Sequence, residues 1–245
     1  MAVRLCHLYP AEMNIYADRG NIAVLRKRLE WRGLHLDVTE VGVGDAIEPG
    51  LHDLYYLGGG QDRDQRIVAH DLAATKADAL RSAAADGAAF LWVCGGIQLA
   101  GAGYTDAGGA RLPGVEILDV DTVAGDGRLI GDLVINAELD GESKRVVGYE
   151  NHVGRTLLGA DARPLGRVVR GHGNDGESGV EGAVQQRVVG TYLHGPLLPK
   201  NPWVADTMLR WALDHAGEPA DLQPLDDSIE QLAHRVAVDR AGLDR

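Results

Sequence analysis

Residues 90–103 read FLWVCGGIQLAGAG: an apolar run that stops at Cys94, two glycines, then a short apolar stretch at helical spacing. This is a buried strand turning directly into a helix, and the turn falls on the cysteine. A thiol there is placed as a nucleophile rather than as core filler. The turn exposes the sulfur, and the helix N-terminus just after it stabilises a thiolate. Gly95 and Gly96 permit the tight backbone and let a substrate approach main-chain N–H groups.

The flanking sequence alternates strand with helix. Residues 3–8, 34–41 and 53–57 read as strands, the last ending in Gly58-Gly59-Gly60. Residues 21–32 carry Ile22, Leu25 and Leu29 at helical spacing, with Gly33 placed to stop the helix. Residues 61–86 read as one helix with Val68, Leu72, Thr75, Ala79 and Ala83 on its stripe; residues 88–93 are the strand before Cys94 and 96–102 the helix after it. Alternation of this kind predicts an α/β fold with a mostly parallel central sheet and helices on both faces. Functional residues then belong in loops at the C-terminal ends of strands, where both the triple glycine and Cys94 lie.

From 115 to 189 the texture changes to strand-like segments separated by Gly-rich turns such as GHGNDGESG. This predicts an added antiparallel portion on the same domain. Asn201-Pro202 offers an N-cap and a first-turn proline, followed by Val204, Met208, Trp211 and His215 at helical spacing. Ser228 and Gln231 resemble a capping box before a last helix, about 227–241, that contains Ile229, Leu232 and Val236. No linker or internal repeat is visible, so residues 1–245 are expected to form one domain, with the motifs between about 3 and 216.

Charge and cysteine usage exclude several classes. Lys and Arg number 24 against 36 Asp and Glu, a net charge of −12. Nucleic acid and anionic membrane surfaces demand the opposite balance. No apolar stretch approaches the ~20 residues of a membrane span, and the N-terminal residues hold too short an apolar run for a secretion signal. A cytoplasmic location is expected. Only Cys6 and Cys94 are present, without a CxxC, so neither a disulfide framework nor a metal–thiolate site is expected. Cys6, in the alternating strand VRLCHLY, reads as a buried spectator.

A cysteine nucleophile needs a base, an oxyanion hole and grips for its substrate. The Gly95 N–H and an N–H from the Gly58–Gly60 loop can form the hole. Among nine histidines His194 is the best-placed base, since it ends the strand-like run RVVGTYL ahead of Gly195-Pro196. Nucleophile before histidine is also the chain order of α/β-hydrolase-like sites. Arg128, in the loop GDGRLIGD ahead of a strand, is either a solvated arginine or a fork for a substrate carboxylate. Gln98, one helical turn past Cys94, either binds a polar substrate or caps the elbow. His152, in GYENHVG, reads as a structural loop residue.

LGGGQD (57–62), VCGGIQ (93–98) and GTYLHG (190–195), in that order, resemble the class I glutamine amidotransferases, whose catalytic domain is flavodoxin-like. Within them the chain is similar to the cobyric-acid-synthase-like branch. It is closer still to the glutaminase subunits of lipid II isoglutaminyl synthases, the GatD type, through residues 8–22, GRLIGD (127–132) and GYENHVG (148–154). The resemblance implies that Cys94 attacks the carboxamide of glutamine while Gly95 and Gly59 or Gly60 hold the oxyanion. His194 would move the proton, and Arg128 and Gln98 would fix the amino-acid end. No cofactor is implied in this chain; ATP and Mg belong to a partner, a Mur-ligase-like (MurT-like) synthetase that amidates the α-carboxyl of D-glutamate in lipid II.

Two positions depart from the family pattern. Trp92 stands where the commoner elbow has its first glycine, and Pro196 stands where many members carry an acid two positions after the histidine. A histidine base needs an orienting partner. Either an in-chain acid such as Glu150 fills the role or the partner subunit supplies a carboxylate, and the second is expected. The alternatives are the glutaminase part of another amidotransferase, such as a cobyric acid or cobyrinate amidase, and a non-catalytic scaffold subunit. The former usually carries its synthetase on the same chain; the latter is opposed by the intact Cys94, His194 and glycine loop. A DJ-1-like cysteine enzyme would share the elbow but not Gln98, Arg128 or GTYLHG.

Overall fold

In a computed structural model, residues 2–15 and 19–242 are described; residues 16–18 of the N-terminal motif lie outside them. Along the chain, β1 (Ala2–Leu8), α1 (Arg19–Glu30), β2 (His35–Val41), β3 (Leu54–Leu57), α2 (Asp62–Asp71), a π-turn (Leu72–Lys76), α3 (Ala77–Ala85), β4 (Ala89–Val93) and α4 (Gly95–Ala100) alternate as expected. Then come β5 (Gly103–Thr105), β6 (Arg111–Pro113), β7 (Val120–Leu139), β8 (Glu142–Leu158), β9 (Gly166–Arg170), β10 (Val180–Glu181), β11 (Ala183–Gln185) and β12 (Val188–Thr191). Two helices, α5 (Pro202–His215) and α6 (Ser228–Arg240), close the chain.

The central sheet has the order β2-β1-β3-β4-β12-β11, parallel throughout except for the edge strand β11. Its inner strands β3 and β4 are buried on both faces. Leu54, Tyr56, Ala89, Leu91 and Val93 pack against α1 and α5, whereas Tyr55, Leu57, Phe90 and Trp92 pack towards α2, α3 and α4. Alternate side chains point to opposite faces, so a strand covered on both sides must be apolar at every position. Trp92 goes to the α4 side, 6.3 Å from Phe90, which itself stacks on Tyr55 at 4.6 Å. The bulk that departs from the family pattern is therefore absorbed in a core layer. The added portion is a second sheet built on the long β7–β8 hairpin, with β9, β10, β5 and β6 at its sides.

Three sequence expectations change. The helix over 61–86 is interrupted by the π-turn, and one extra residue in that turn rotates the buried stripe. Thr75 comes to the surface and Lys76 goes inside, where its ammonium meets Asp71 at 2.5 Å and lies 5.0 Å over the Tyr9 ring. Asn201 precedes α5, but its side chain does not cap the helix. It accepts from the Val147 N–H (3.0 Å) and donates to Val147 and Leu197 carbonyls, joining α5 to β8. Asp227, not Ser228, precedes α6, and its carboxylate holds Arg28 at 2.6 Å rather than forming a capping box. On α6, Ile229, Leu232 and Val236 are 77%, 54% and 56% exposed. The buried apolar contacts at its C-terminal end are made by Ala237, Val238 and Ala241, against Val134 and Val147.

Cys6 is buried and unbridged, and burial pushes its thiol up to about 12, as suits a spectator. Among the described residues no helix is long and apolar enough to cross a membrane.

One ion cluster ties the first helix to the last two. The Arg28 guanidinium, 1% exposed, is held by Asp206 and Asp227 at 2.6 Å each, and Arg32 adds a 2.9 Å bond to Asp206. Burial works against the Asp206 carboxylate, but Arg28 and Arg32 outweigh it and hold the group below the usual carboxylate range. A depressed folded pKa contributes stability above the ordinary value, about 4, and loses it as pH falls through the depressed one. Asp206→Ala is therefore expected to cost about 3 kcal/mol at neutral pH, because it leaves buried cationic charge under-compensated. Urea melts of both proteins should converge as the pH is lowered, since the wild type then loses the same interaction.

Candidate active site

Cys94 links β4 to α4 with φ 55° and ψ −108°, a region that side chains other than glycine rarely enter. Its neighbours explain how the turn is tolerated. In register, Val93 sits beside Thr191 and Trp92 beside Leu57, so β3, β4 and β12 end together. The Cys94 N–H donates to the Thr191 carbonyl at 2.8 Å. A Cβ on Gly96 would lie 2.8 Å from the Leu57 carbonyl oxygen. Only a glycine lets the chain turn this close to the neighbouring strand.

The glycine loop after β3 lies against the thiol. A Cβ on Gly59 would be 3.1 Å from the Cys94 Cβ and 3.5 Å from its Sγ; one on Gly95 would be 3.4 Å from the Gly60 nitrogen. Met13, from the segment after β1, covers both, since a Cβ on Gly60 would be 2.4 Å from its Sδ. The Gly58–Gly60 loop thus lies against both the Cys94 side chain and the Gly95 main chain.

Cys94, Gly60, Gly95, Gln98 and Arg128 line one cleft, together with Asn151 and His152. Arg128 does not sit in a loop ahead of a strand. It lies in a bulge inside β7, where the register to β8 shifts between Ala124 and Leu129. The bulge turns the guanidinium across the hairpin to donate to Asn151 Oδ1 at 3.0 Å, and the side chain stays exposed at the rim. Gln98 lines the cleft, and its amide is held by two side chains rather than by elbow backbone. Its Oε1 accepts from Gln65 at 2.7 Å and its Nε2 donates to the Tyr192 hydroxyl at 3.2 Å. Tyr192 continues to Thr156 (2.7 Å) and Thr156 to Thr122 (2.9 Å). A Cβ on Gly154 would be 2.4 Å from Gln98 Nε2, so this polar floor requires a glycine in β8.

His152, read from sequence as structural, is both structural and a wall of the cleft. Its ring stacks on Tyr192 at 3.6 Å and 7°, and Nδ1 is 2.8 Å from the Gly154 carbonyl oxygen, which fixes that nitrogen as the donor. Gln65, Asn151 and Tyr192 were not singled out in the sequence. Tyr192 lies inside GTYLHG, two residues before the histidine, and is the one whose position could have been noticed.

His194 is fully buried just past the end of β12. A two-way backbone pair with Tyr149 anchors it to β8, and the rings meet edge-on at 6.0 Å. It is not among the residues that line the Cys94 cleft; it lines a separate cavity, between β8 and α6, with Lys200 and Arg240. Burial, then the nearby His152 and Lys200, lower its pKa to about 4. Glu150, the in-chain acid considered as its orienting partner, is engaged elsewhere. Its carboxylate accepts the N–H groups of His172 (2.6 Å) and Gly173 (2.9 Å) and lies 3.6 Å from His152 Nε2.

A family model for the CobB/CobQ-like glutamine amidotransferase domain matches residues 4–202. The GatD subunit of the glutamine-hydrolysing lipid II isoglutaminyl synthase of Staphylococcus aureus (strain N315) is 38% identical over 235 residues, 96% of this chain and 94% of the relative. The corresponding subunit of Streptococcus pneumoniae (strain ATCC BAA-255 / R6) is 38% identical over 231 residues, 94% of this chain and 88% of the relative. A cobyric acid synthase of Caulobacter sp. (strain K31) matches at 36% over 62% of this chain but only 29% of its own length. Among solved structures, a glutamine amidotransferase of Thermotoga maritima superposes with a TM-score of 0.52 at 16% identity, covering 99% of this chain and 97% of that one. The glutaminase domain of Trypanosoma brucei CTPS with bound acivicin gives 0.53 at 12%, covering 90% and 96%. At these identities the structural likeness speaks for the fold, and the sequence matches carry the family. The chain belongs to the CobB/CobQ-like glutamine amidotransferase domain family.

Proposed function

We propose that this chain is the glutaminase subunit of a lipid II isoglutaminyl synthase, hydrolysing L-glutamine and passing ammonia to a Mur-ligase-like partner. The observation that carries this is the strained Cys94 turn, opening on a cleft that also holds Gly60, Gly95 and Arg128. The two relatives matched over nearly the whole chain are subunits of such an enzyme, which supports this reading over a cobyric acid or cobyrinate amidase.

Cys94 Sγ attacks the carboxamide carbon of glutamine while His194 takes the thiol proton. The carbonyl oxygen, now negative, is held by the Gly95 N–H and by Gly59 or Gly60; main-chain donors fixed in place need no reorganisation as charge develops. The C–N bond breaks, His194 returns the proton to the nitrogen, and ammonia leaves a glutamyl thioester. Water, deprotonated by His194, then cleaves the C–S bond to give glutamate and the free thiol. Arg128 at the rim binds the α-carboxylate of glutamine, and Gln98 shapes the floor beneath the side chain. The synthetase, carrying ATP and Mg, activates the α-carboxyl of D-glutamate in the stem peptide, and ammonia converts it to D-isoglutamine.

The partner also completes the proton relay. Among the groups that act on His194, His152 and Lys200 both oppose its protonation. A carboxylate from the partner, entering beside His194, would stabilise the imidazolium that forms during acylation.

Ammonia release from glutamine, measured on wild type and Cys94→Ala with and without the synthetase, tests the reading. Cys94→Ala should lose at least about 10³-fold in kcat; equal activity would refute the mechanism. Wild-type turnover should rise sharply with the partner, and full activity in isolation would sink the shared relay. Arg128→Ala should raise KM by about 10–100-fold with a smaller change in kcat, through loss of a charge-assisted bond. The base must be neutral to act, so the acid limb of glutaminase activity should lie near pH 4 for the isolated chain, where burial holds His194. In the complex it should move to higher pH, because a neighbouring carboxylate favours the charged imidazole.

A further inference from the structure

We propose that Glu181 is a positioning residue that holds the Cys94 and His194 ends of the site in one rigid frame; this rests on the catalytic reading above. Glu181 ends β10, is fully buried, and reaches the chain just after β12. One carboxylate oxygen accepts the Thr191 hydroxyl, the Tyr192 N–H at 2.9 Å and the Leu193 N–H at 3.3 Å. The other accepts the Gly182 N–H. Residues 191, 192 and 193 are the three immediately before His194.

The need for this acceptor follows from the backbone. β12 ends at Thr191, and the chain must leave the sheet to carry His194 towards β8. The N–H groups of Tyr192 and Leu193 then have no ladder carbonyl, inside a region with no access to water. Unsatisfied, each buried donor costs about 1–3 kcal/mol. One carboxylate offers about four lone-pair sites in a compact group, and here they serve a hydroxyl and three N–H groups. Burying a charge is expensive: burial pushes the Glu181 carboxyl above the usual carboxylate range, while the bonds from Thr191, Tyr192 and Gly182 act in the opposite direction.

The clamp reaches the nucleophile too. Thr191, whose hydroxyl is held by Glu181, accepts the Cys94 N–H on its carbonyl at 2.8 Å and the Leu193 N–H on its hydroxyl oxygen at 3.0 Å. Glu181 is fixed from behind by Asn174, which brackets Gly182 by accepting its N–H at 2.7 Å and donating to its carbonyl at 3.0 Å. Gly182 has φ +67°, and a Cβ there would sit 2.7 Å from Leu165 Cβ. Displacing Glu181 therefore shifts His194 relative to Cys94, and a 1 Å misplacement of reacting groups costs about 10²-fold in rate.

The test is steady-state glutaminase kinetics on the full chain with its synthetase, together with Cys94 labelling by a diazo-ketone glutamine analogue. Glu181→Ala should lower kcat and the labelling rate about 10²-fold while KM for glutamine changes less than about threefold, because the cleft walls stay in place. Glu181→Gln keeps an amide oxygen for Tyr192 and Leu193 but turns its NH2 against the Gly182 N–H, and should rescue much of the loss. Thr191→Val leaves Glu181 in place and removes one donor, so a smaller kcat loss is expected; with Glu181→Gln it decides the matter should Glu181→Ala fail to fold. Wild-type kcat in the folded variants, or a rise in KM at unchanged kcat, overturns this inference alone. A wild-type complex without glutaminase activity, or an active Cys94→Ala, overturns the catalytic reading and this inference with it.

Discussion

The Cys94 turn depends on three parallel strands ending at the same level. Its φ of 55° costs about 1–3 kcal/mol, and the turn persists because its surroundings leave no alternative. The Thr191 carbonyl takes its N–H, and the Leu57 carbonyl leaves Gly96 no room for a side chain. A one-residue slip of β12 against β4 would break the first of these contacts. The register of the central sheet is therefore also the register of the active site.

Beneath the cleft, a buried polar chain runs from Gln65 through Gln98, Tyr192 and Thr156 to Thr122. It connects α2, α4, the end of β12 and the β7–β8 hairpin. Buried polar groups stiffen a structure only when they are satisfied, and each link in this chain is a hydrogen bond. The second sheet is thus part of the catalytic floor: it brings Arg128 and His152 to the rim and wall of the cleft and anchors His194 through Tyr149. On the other side of His194 lies a cavity roofed by α6, a helix held to the body by few apolar contacts. The Cys94 side of the site is built from the parallel sheet, and the His194 side opens on the cavity between β8 and α6.

Much of this was legible in the chain. The strand–Cys94–Gly-Gly–helix pattern, the glycine loop after β3 and the βαβ alternation all arise from local rules, namely apolar period, turn residues and strand-end chemistry. The three motifs at 57–62, 93–98 and 190–195 pointed to the family because each sits on the functional edge of one sheet. Arg128 was read as lying in a loop, and the place of His152 in the cleft wall went unread, for one shared reason. Both belong to a long hairpin whose bulge is a property of pairing, and pairing has no signature in the sequence of either strand alone. The apolar stripe of Ile229, Leu232 and Val236 has helical spacing, yet period says which residues share a face and not what that face meets.

By itself, then, the sequence determined the class of sheet, the strand–cysteine–helix turn and the family, because each is written in contiguous residues whose local conformation carries the information. Tertiary structure alone decided that Gln98 is held by Gln65 and Tyr192, that Glu150 serves the 171–173 turn, and that Glu181 clamps the approach to His194. Those outcomes depend on buried donors and acceptors finding one another across 10 to 94 positions of chain. Which acceptor wins such a competition is settled by packing, and packing is known only once the fold has formed.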